Sequence, residues 1–165
     1  MKNLNNLGLW DKFPAGTYYI GDLCYVMEDG LWDEWLELTS VRDSEGKVES
    51  YEDGDYKFRG FKVGWHGTAH GDGVYESNKT ANVSKTRHTP VDSGTIGIIP
   101  LKALSVWLSH EQMDEVMSGS LNLVHRFDHD FNVELSVNME FGYLTINTDG
   151  NDEEEEEYVF DDDDN

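Results

Sequence analysis

The sequence predicts an α+β fold, mainly antiparallel β-sheet with two or three short helices packed on it. Three observations carry this reading. Phe131, Val133, Leu135, Val137, Met139 and Phe141 alternate with Asn132, Glu134, Ser136, Asn138 and Glu140, the period of a half-exposed antiparallel strand. Short β-branched and aromatic runs recur between turns bearing Gly, Asp or Pro. The few stretches with helical spacing do not alternate with strands, so there is no βαβ series, and no internal repeat is visible.

The elements follow in order. Leu7, Leu9, Trp10 and Phe13 are apolar anchors ahead of the turn at Pro14-Ala15-Gly16. Thr17 to Ile20 and Leu23 to Val26 read as two strand pieces joined at Gly21-Asp22. From Asp29 or Gly30 a short helix begins, with Leu31, Trp32, Trp35, Leu36 and Leu38 inward and Asp33, Glu34 and Glu37 outward. Residues 39–57 make a surface loop or weak hairpin around Ser44-Glu45-Gly46, with Val48 and Tyr51 marking an edge strand.

Phe58, Phe61, Val63 and Trp65 lead into His66-Gly67-Thr68-Ala69-His70-Gly71-Asp72-Gly73, and Val74-Tyr75 resumes strand character, so a hairpin with a glycine-rich tip is expected. Residues 76–89 are polar and read as an exposed loop. Pro90 to Pro100 is the most apolar stretch and lacks clean alternation, as in a strand buried on both faces. Leu101 to Leu108 supplies a helical turn or two, and Ser109 with Gln112 forms a capping box for a helix through Met117, stopped by Gly119. Leu121, Leu123 and Val124, then 131–141, then Tyr143, Leu144 and Ile146 complete a three-stranded meander.

A chain of 165 residues suits one domain with its own core. The lone Cys24 excludes an intramolecular disulfide and a multi-cysteine zinc site. No leader-like or membrane-spanning apolar run occurs, so a soluble cytoplasmic protein without membrane contact is expected. The charge is −22. Eleven acids and no base lie from Asp149 onward, leaving twenty-three acids and twelve bases, a charge of −11, on residues 1–148. The expected division is therefore a globular domain over 1–148 and a disordered acidic tail over 149–165, since like charges at low apolar content do not collapse.

Within the tail, Tyr158-Val159-Phe160 interrupts the acids and is followed by Asp161 and Asp162. Those residues fit either a solvating segment or a docking motif whose apolar centre enters a groove while carboxylates steer it. An acidic body disfavours direct nucleic-acid binding, which needs Lys and Arg on phosphates. It suits a partner with a basic surface, and at the extreme it imitates the phosphate array of DNA.

Candidate chemistry is sparse. His66, His70 and Asp72 form a candidate metal site if the glycine-rich turn makes them converge, since imidazole and carboxylate suit zinc, manganese or iron. Cys24 lies two residues after Asp22 and is either a nucleophile needing a histidine base or a small buried hydrophobe. Asp22 and Asp92 form an acid–base or cation-binding pair if their strands are neighbours; otherwise both cap turns, as Asp beside Gly commonly does. No phosphate-binding loop, GxGxxG, GxSxG or HExxH occurs, and no cofactor is expected.

Gly16-Thr17-Tyr18-Tyr19-Ile20-Gly21-Asp22-Leu23-Cys24-Tyr25-Val26, taken with Val91-Asp92-Ser93-Gly94-Thr95-Ile96-Gly97-Ile98-Ile99-Pro100, resembles small uncharacterised proteins of bacteriophage and some bacterial genomes. The resemblance implies a phage or mobile-element setting and assigns no catalytic residue. The functional expectation is a small acidic protein that binds a host protein, a defence or nucleic-acid-handling factor, and blocks or redirects it. The alternatives are a metal- or ligand-binding enzyme with a pocket near Asp22, Cys24, His66, His70 and Asp92, and a virion structural protein.

Overall fold

The computed structural model describes residues 11–118 and 122–149. Among these residues, thirteen strands and three α-helices run in the order β1 (Asp11–Phe13), β2 (Gly16–Gly21), α1 (Asp29–Thr39), β3 (Ser40–Arg42), β4 (Val48–Tyr51), β5 (Gly54–Phe58), β6 (Phe61–Gly67), β7 (Gly73–Glu76), β8 (His88–Val91), β9 (Thr95–Pro100), α2 (Leu101–Trp107), α3 (His110–Ser118), β10 (Leu123–Phe127), β11 (Phe131–Glu134), β12 (Asn138–Phe141) and β13 (Leu144–Asn147). A 3-10 turn, Leu23–Tyr25, follows β2. The fold is α+β, as the alternation and spacing predict, and every strand pairing among the described residues is antiparallel.

A five-stranded sheet of order β10-β2-β9-β6-β5 forms the middle layer. One face packs on a four-stranded sheet of order β1-β11-β12-β13, and the helices cover the other. Alternation along the central strands feeds both cores. Tyr18, Ile20, Ile96 and Ile98 point toward the second sheet with Phe13, Val133, Met139 and Phe141. Tyr19 and Ile99 point toward the helices with Leu23, Leu31, Trp35 and Leu104. That two-sided burial is why Thr95–Pro100 shows no polar alternation.

In α1 the buried side chains Leu31, Trp35 and Thr39 recur every four residues, one face of a helix. Trp35 is fully buried and meets Tyr56, Phe58 and Trp65 edge-on at centroid distances of 5.5, 5.3 and 5.3 Å, the geometry that aromatic quadrupoles favour. The capping box ahead of α3 is formed reciprocally: the Ser109 backbone N–H donates to Gln112 Oε1 at 2.8 Å and the Gln112 N–H to Ser109 Oγ at 3.1 Å.

Several boundaries differ from the sequence reading. Leu23 to Val26 is no strand: the Asp22 side chain accepts from the Cys24 N–H and caps the 3-10 turn. Val91 to Pro100 divides at Asp92-Ser93-Gly94 between β8, which pairs with β7 in a separate ribbon, and β9 in the central sheet. The glycine-rich stretch 68–72 likewise sends β6 and β7 into different sheets, so they form no hairpin.

The polar segment 76–89 is only partly exposed. Ser77 and Ala81 are buried, and Asn78 clasps Thr145 through reciprocal hydrogen bonds. Residues 131–141 fold back on themselves as β11 and β12 around Leu135-Ser136-Val137, pairing Val133 with Phe141. The meander is therefore β11-β12-β13, and β10 leaves it to pair with β2.

Close backbone approach fixes one position in the middle layer. A Cβ on Gly97 would stand 2.6 Å from the Gly64 carbonyl oxygen and 2.7 Å from Leu23 Cγ, distances that backbone cannot yield without moving a strand. Gly97→Ala is expected to lower unfolding free energy by about 1–3 kcal/mol in urea titration. The control Gly30→Ala, where a Cβ meets nothing nearer than 3.5 Å, should leave the midpoint unchanged or raise it.

Candidate functional site

The two segments that carry the resemblance meet where β2 ends and β9 begins. Gly21 and Gly97 are cross-strand partners, which brings Asp22 against the turn at Asp92-Ser93. Asp22 has no solvent exposure, and its carboxylate accepts four hydrogen bonds. Oδ2 takes the backbone N–H groups of Asp92 at 2.7 Å and Ser93 at 2.6 Å. Oδ1 takes the Cys24 N–H at 3.0 Å and the Ser93 hydroxyl at 2.8 Å. A carboxylate offers about four lone-pair sites, so all are engaged.

Asp22 and Asp92 are neighbours, but they do not form a catalytic pair. Asp22 binds main chain, and Asp92 accepts from the Tyr25 hydroxyl at 2.7 Å. Cys24 is half-buried beside them. Burial and then the hydrogen bond and charge of Asp22, with further push from Asp92 and Asp72, drive its thiol up to about 12. That is the opposite of what activates a cysteine nucleophile.

The histidines are engaged elsewhere. His66 is half-buried, with Nδ1 2.7 Å from the Gly67 carbonyl oxygen, so Nδ1 carries the proton; its Nε2 stands 3.4 Å from Asp53 Oδ2. His70 is exposed and faces Asp149 Oδ1 at 3.8 Å. Asp72 is exposed beside Gly94. The proposed metal ligands thus face different neighbours, and among the described residues no group of three or more His, Cys, Asp or Glu side chains could hold a metal ion. Tyr158, Val159, Phe160, Asp161 and Asp162 lie outside the described residues.

A surface continues from this junction. The Thr68 N–H donates to Gly94 O, the Gly67 N–H to Asp53 Oδ1, and Trp65 Nε1 to Glu52 O, so the turn of β9 is linked through β6 to the base of the β3–β4 ribbon. Residues 28–59, which hold α1 and that ribbon, contain eleven acids and four bases, a charge of −7. Two of the bases are taken locally: Arg42 by Glu37 and Arg59 by Glu34, each at 2.7 Å.

Among these carboxylates stand Leu38, Val48 and Tyr51, each more than 40% exposed, and all four residues of β4 face solvent. Large exposed apolar side chains set among charges of one sign are the composition of an interface. Sequence reading took Leu38 for core, because helical spacing counts it with Leu31 and Trp35. Its place at the end of α1, where the chain turns into an isolated ribbon, is what leaves it uncovered.

No protein-family model, curated protein or solved structure matches this chain.

Asp22→Asn would turn an amide N–H₂ toward backbone donors and is expected to cost about 2–4 kcal/mol of stability, read as a lowered denaturation midpoint. An unchanged midpoint would mean that the carboxylate does not hold the junction. For Cys24, a thiol raised from about 9 to about 12 holds roughly a thousandfold less thiolate at pH 8. Labelling by a disulfide reagent should therefore be at least about 100-fold slower in the native protein than in denaturant, and equal rates would overturn the assignment of an inert thiol.

Proposed function

We propose that this chain is an acidic binding protein whose α1 and β3–β4 ribbon engage a basic surface on another protein. The observation that carries the reading is the union, in residues 28–59, of a charge of −7 with exposed Leu38, Val48 and Tyr51. Carboxylates would speed the encounter by long-range attraction, and the apolar side chains would set the residence time. In the phage-like setting that the resemblance implies, the partner is a host defence or nucleic-acid-handling protein, and occupation of its basic groove would exclude nucleic acid from it.

The enzyme reading has less support: the Asp22 carboxylate is saturated by donors, the Cys24 thiol is pushed up, and His66 and His70 face Asp53 and Asp149. A virion role would instead require abundance in purified particles and a stable homo-oligomer.

The test is capture by the tagged full chain from host lysate, followed by affinity measurement with the recovered partner. A stoichiometric partner is expected, held in low salt and released as salt rises to about 0.5 M, where the screening length falls to a few ångströms. Asp33→Lys with Glu49→Lys reverses two exposed charges and should weaken binding by about tenfold, chiefly in the association rate. Failure to capture a partner, or an affinity indifferent to salt and to these reversals, would remove the reading.

A further inference from the structure

At the opposite end of β2 from Asp22, six residue steps or about 20 Å away along the strand, lies an open cleft of about 510 Å³, within the ~300–1,000 Å³ usual for ligand sites. It is lined by Phe127 to Asn132 with Gly142 and Tyr143, so the β10–β11 turn forms one wall and the β12–β13 turn the other. Its floor is a parallel stack, Phe127 on Phe131 at 3.8 Å and 14°. Asp128, His129 and Asp130 line it and are exposed; among the described residues no Lys or Arg does.

Tyr143 is the side chain that needs a reason. It is 54% exposed, yet it is held from behind. The Asn82 backbone N–H donates to His125 Nδ1 at 3.0 Å, which places the imidazole proton on Nε2. That Nε2–H donates to the Tyr143 hydroxyl at 2.6 Å. Burial holds His125 below the ordinary histidine range, favouring this neutral form. The Asn78 amide pins the Tyr143 carbonyl at 3.2 Å, and the His125 ring packs edge-on against the phenol at 5.4 Å. A large aromatic ring in solvent whose rotamer is already fixed loses little entropy on contact.

From this cleft the geometry points to a binding site for the arginine side chain of a basic partner polypeptide. A guanidinium is planar, so it stacks on a ring, and its forked N–H groups serve carboxylates at the same time. Tyr143 supplies the ring, and Asp128 supplies a carboxylate whose ion pair with Arg126, at 3.5 Å, is exposed on both sides and worth little. Asp130 is fixed by the Ala15 N–H at 2.9 Å and contributes its charge from a set position. A neutral ligand would dehydrate these carboxylates without compensation. The chain's own acidic tail, eleven carboxylates with Tyr158-Val159-Phe160 among them, would be repelled. The basic character of the partner rests on the proposed function; the cleft's preference for guanidinium does not.

The test is amide chemical-shift titration of the full chain with N-acetyl-arginine methylamide, its neutral isostere N-acetyl-citrulline methylamide, and the lysine analogue. Saturable shifts confined to 127–132 and 142–143 are expected for arginine, with citrulline at least tenfold weaker and lysine intermediate. Asp128→Asn, which removes the exposed pair with Arg126 and a charge that acts on His125, should weaken arginine binding by about threefold; Tyr143→Leu should weaken it by about tenfold. Because Tyr143→Leu also removes the His125 partner, its thermal midpoint is read alongside, and Asp128→Asn keeps the test decisive if that variant unfolds. Shifts spread over the acidic ribbon without saturation, or equal binding of citrulline, would overturn the site. Arginine binding here without any partner captured from lysate would retain the cleft and remove the proposed function; capture that survives loss of the cleft would do the reverse.

Discussion

A single buried carboxylate ties the middle layer together. Asp22 stands between β2 and the 3-10 turn, and through its two oxygens it holds main-chain groups on both sides of the junction: Cys24 just after it, and Asp92 with Ser93 seventy residues later. A charged group stays in the protein interior only if donors replace its water shell. Here the backbone does so, and the arrangement works in both directions, because the turn from β8 to β9 would otherwise leave its own N–H groups unpaired. The register of β2 on β9 then follows, with Gly21 opposite Gly97; a Cβ on Gly97 would meet backbone, and one on Gly21 would displace the Thr89 and Tyr19 side chains. The pairing of β2 on β9 in turn places Tyr19 and Ile99 under the helices and Ile20 and Ile98 under the second sheet.

Much of this was legible in the residues, and the failures have physical causes. The capping box at Ser109 and Gln112 and the doubly buried Thr95–Pro100 strand are local signals, set by donors within three residues or by plain hydropathy. The alternation from Phe131 to Phe141 misled because period-two order survives a tight reversal: Val133 and Phe141 both point inward although the chain turns between them. Leu23 to Val26 has strand composition, but the Asp22 side chain outcompetes the ladder by capping the next turn. That the Asp22 carboxylate binds backbone at a turn was readable, since Asp beside Gly commonly does so; that it also reaches the Asp92-Ser93 turn was not, because nothing local in the sequence pairs segments seventy residues apart. The sequence counts Tyr143 with Leu144 and Ile146 in the last strand of the meander, whereas β13 begins at Leu144 and the fixed, exposed Tyr143 ring depends on His125 and Asn82, both distant in sequence.

The two ends of the central strands differ in character. Around Asp22, burial and then the carboxylates of Asp22, Asp92 and Asp72 push the half-buried Cys24 thiol up. Along α1 and the β3–β4 ribbon the acids face water, and the apolar side chains among them are uncovered. At the other end a fixed tyrosine and a pair of aspartates border a cleft. Negative charge is common to all three places, and in the first it is fully buried, at Asp22.

The strand order has a consequence for synthesis. β2 lies between β9 and β10, so on a nascent chain its edges stay unpaired until Pro100 has emerged, 79 residues after Gly21. At ~5–20 residues per second that wait is about 4–16 s, during which Tyr18, Tyr19 and Ile20 are an adhesive segment at the ribosome. The stretch that follows directly behind them is the −7 run of residues 28–59. Charge placed beside a sticky strand keeps neighbouring chains apart. The acidic segment therefore acts as a gatekeeper for its own chain before it has a surface to present to any other.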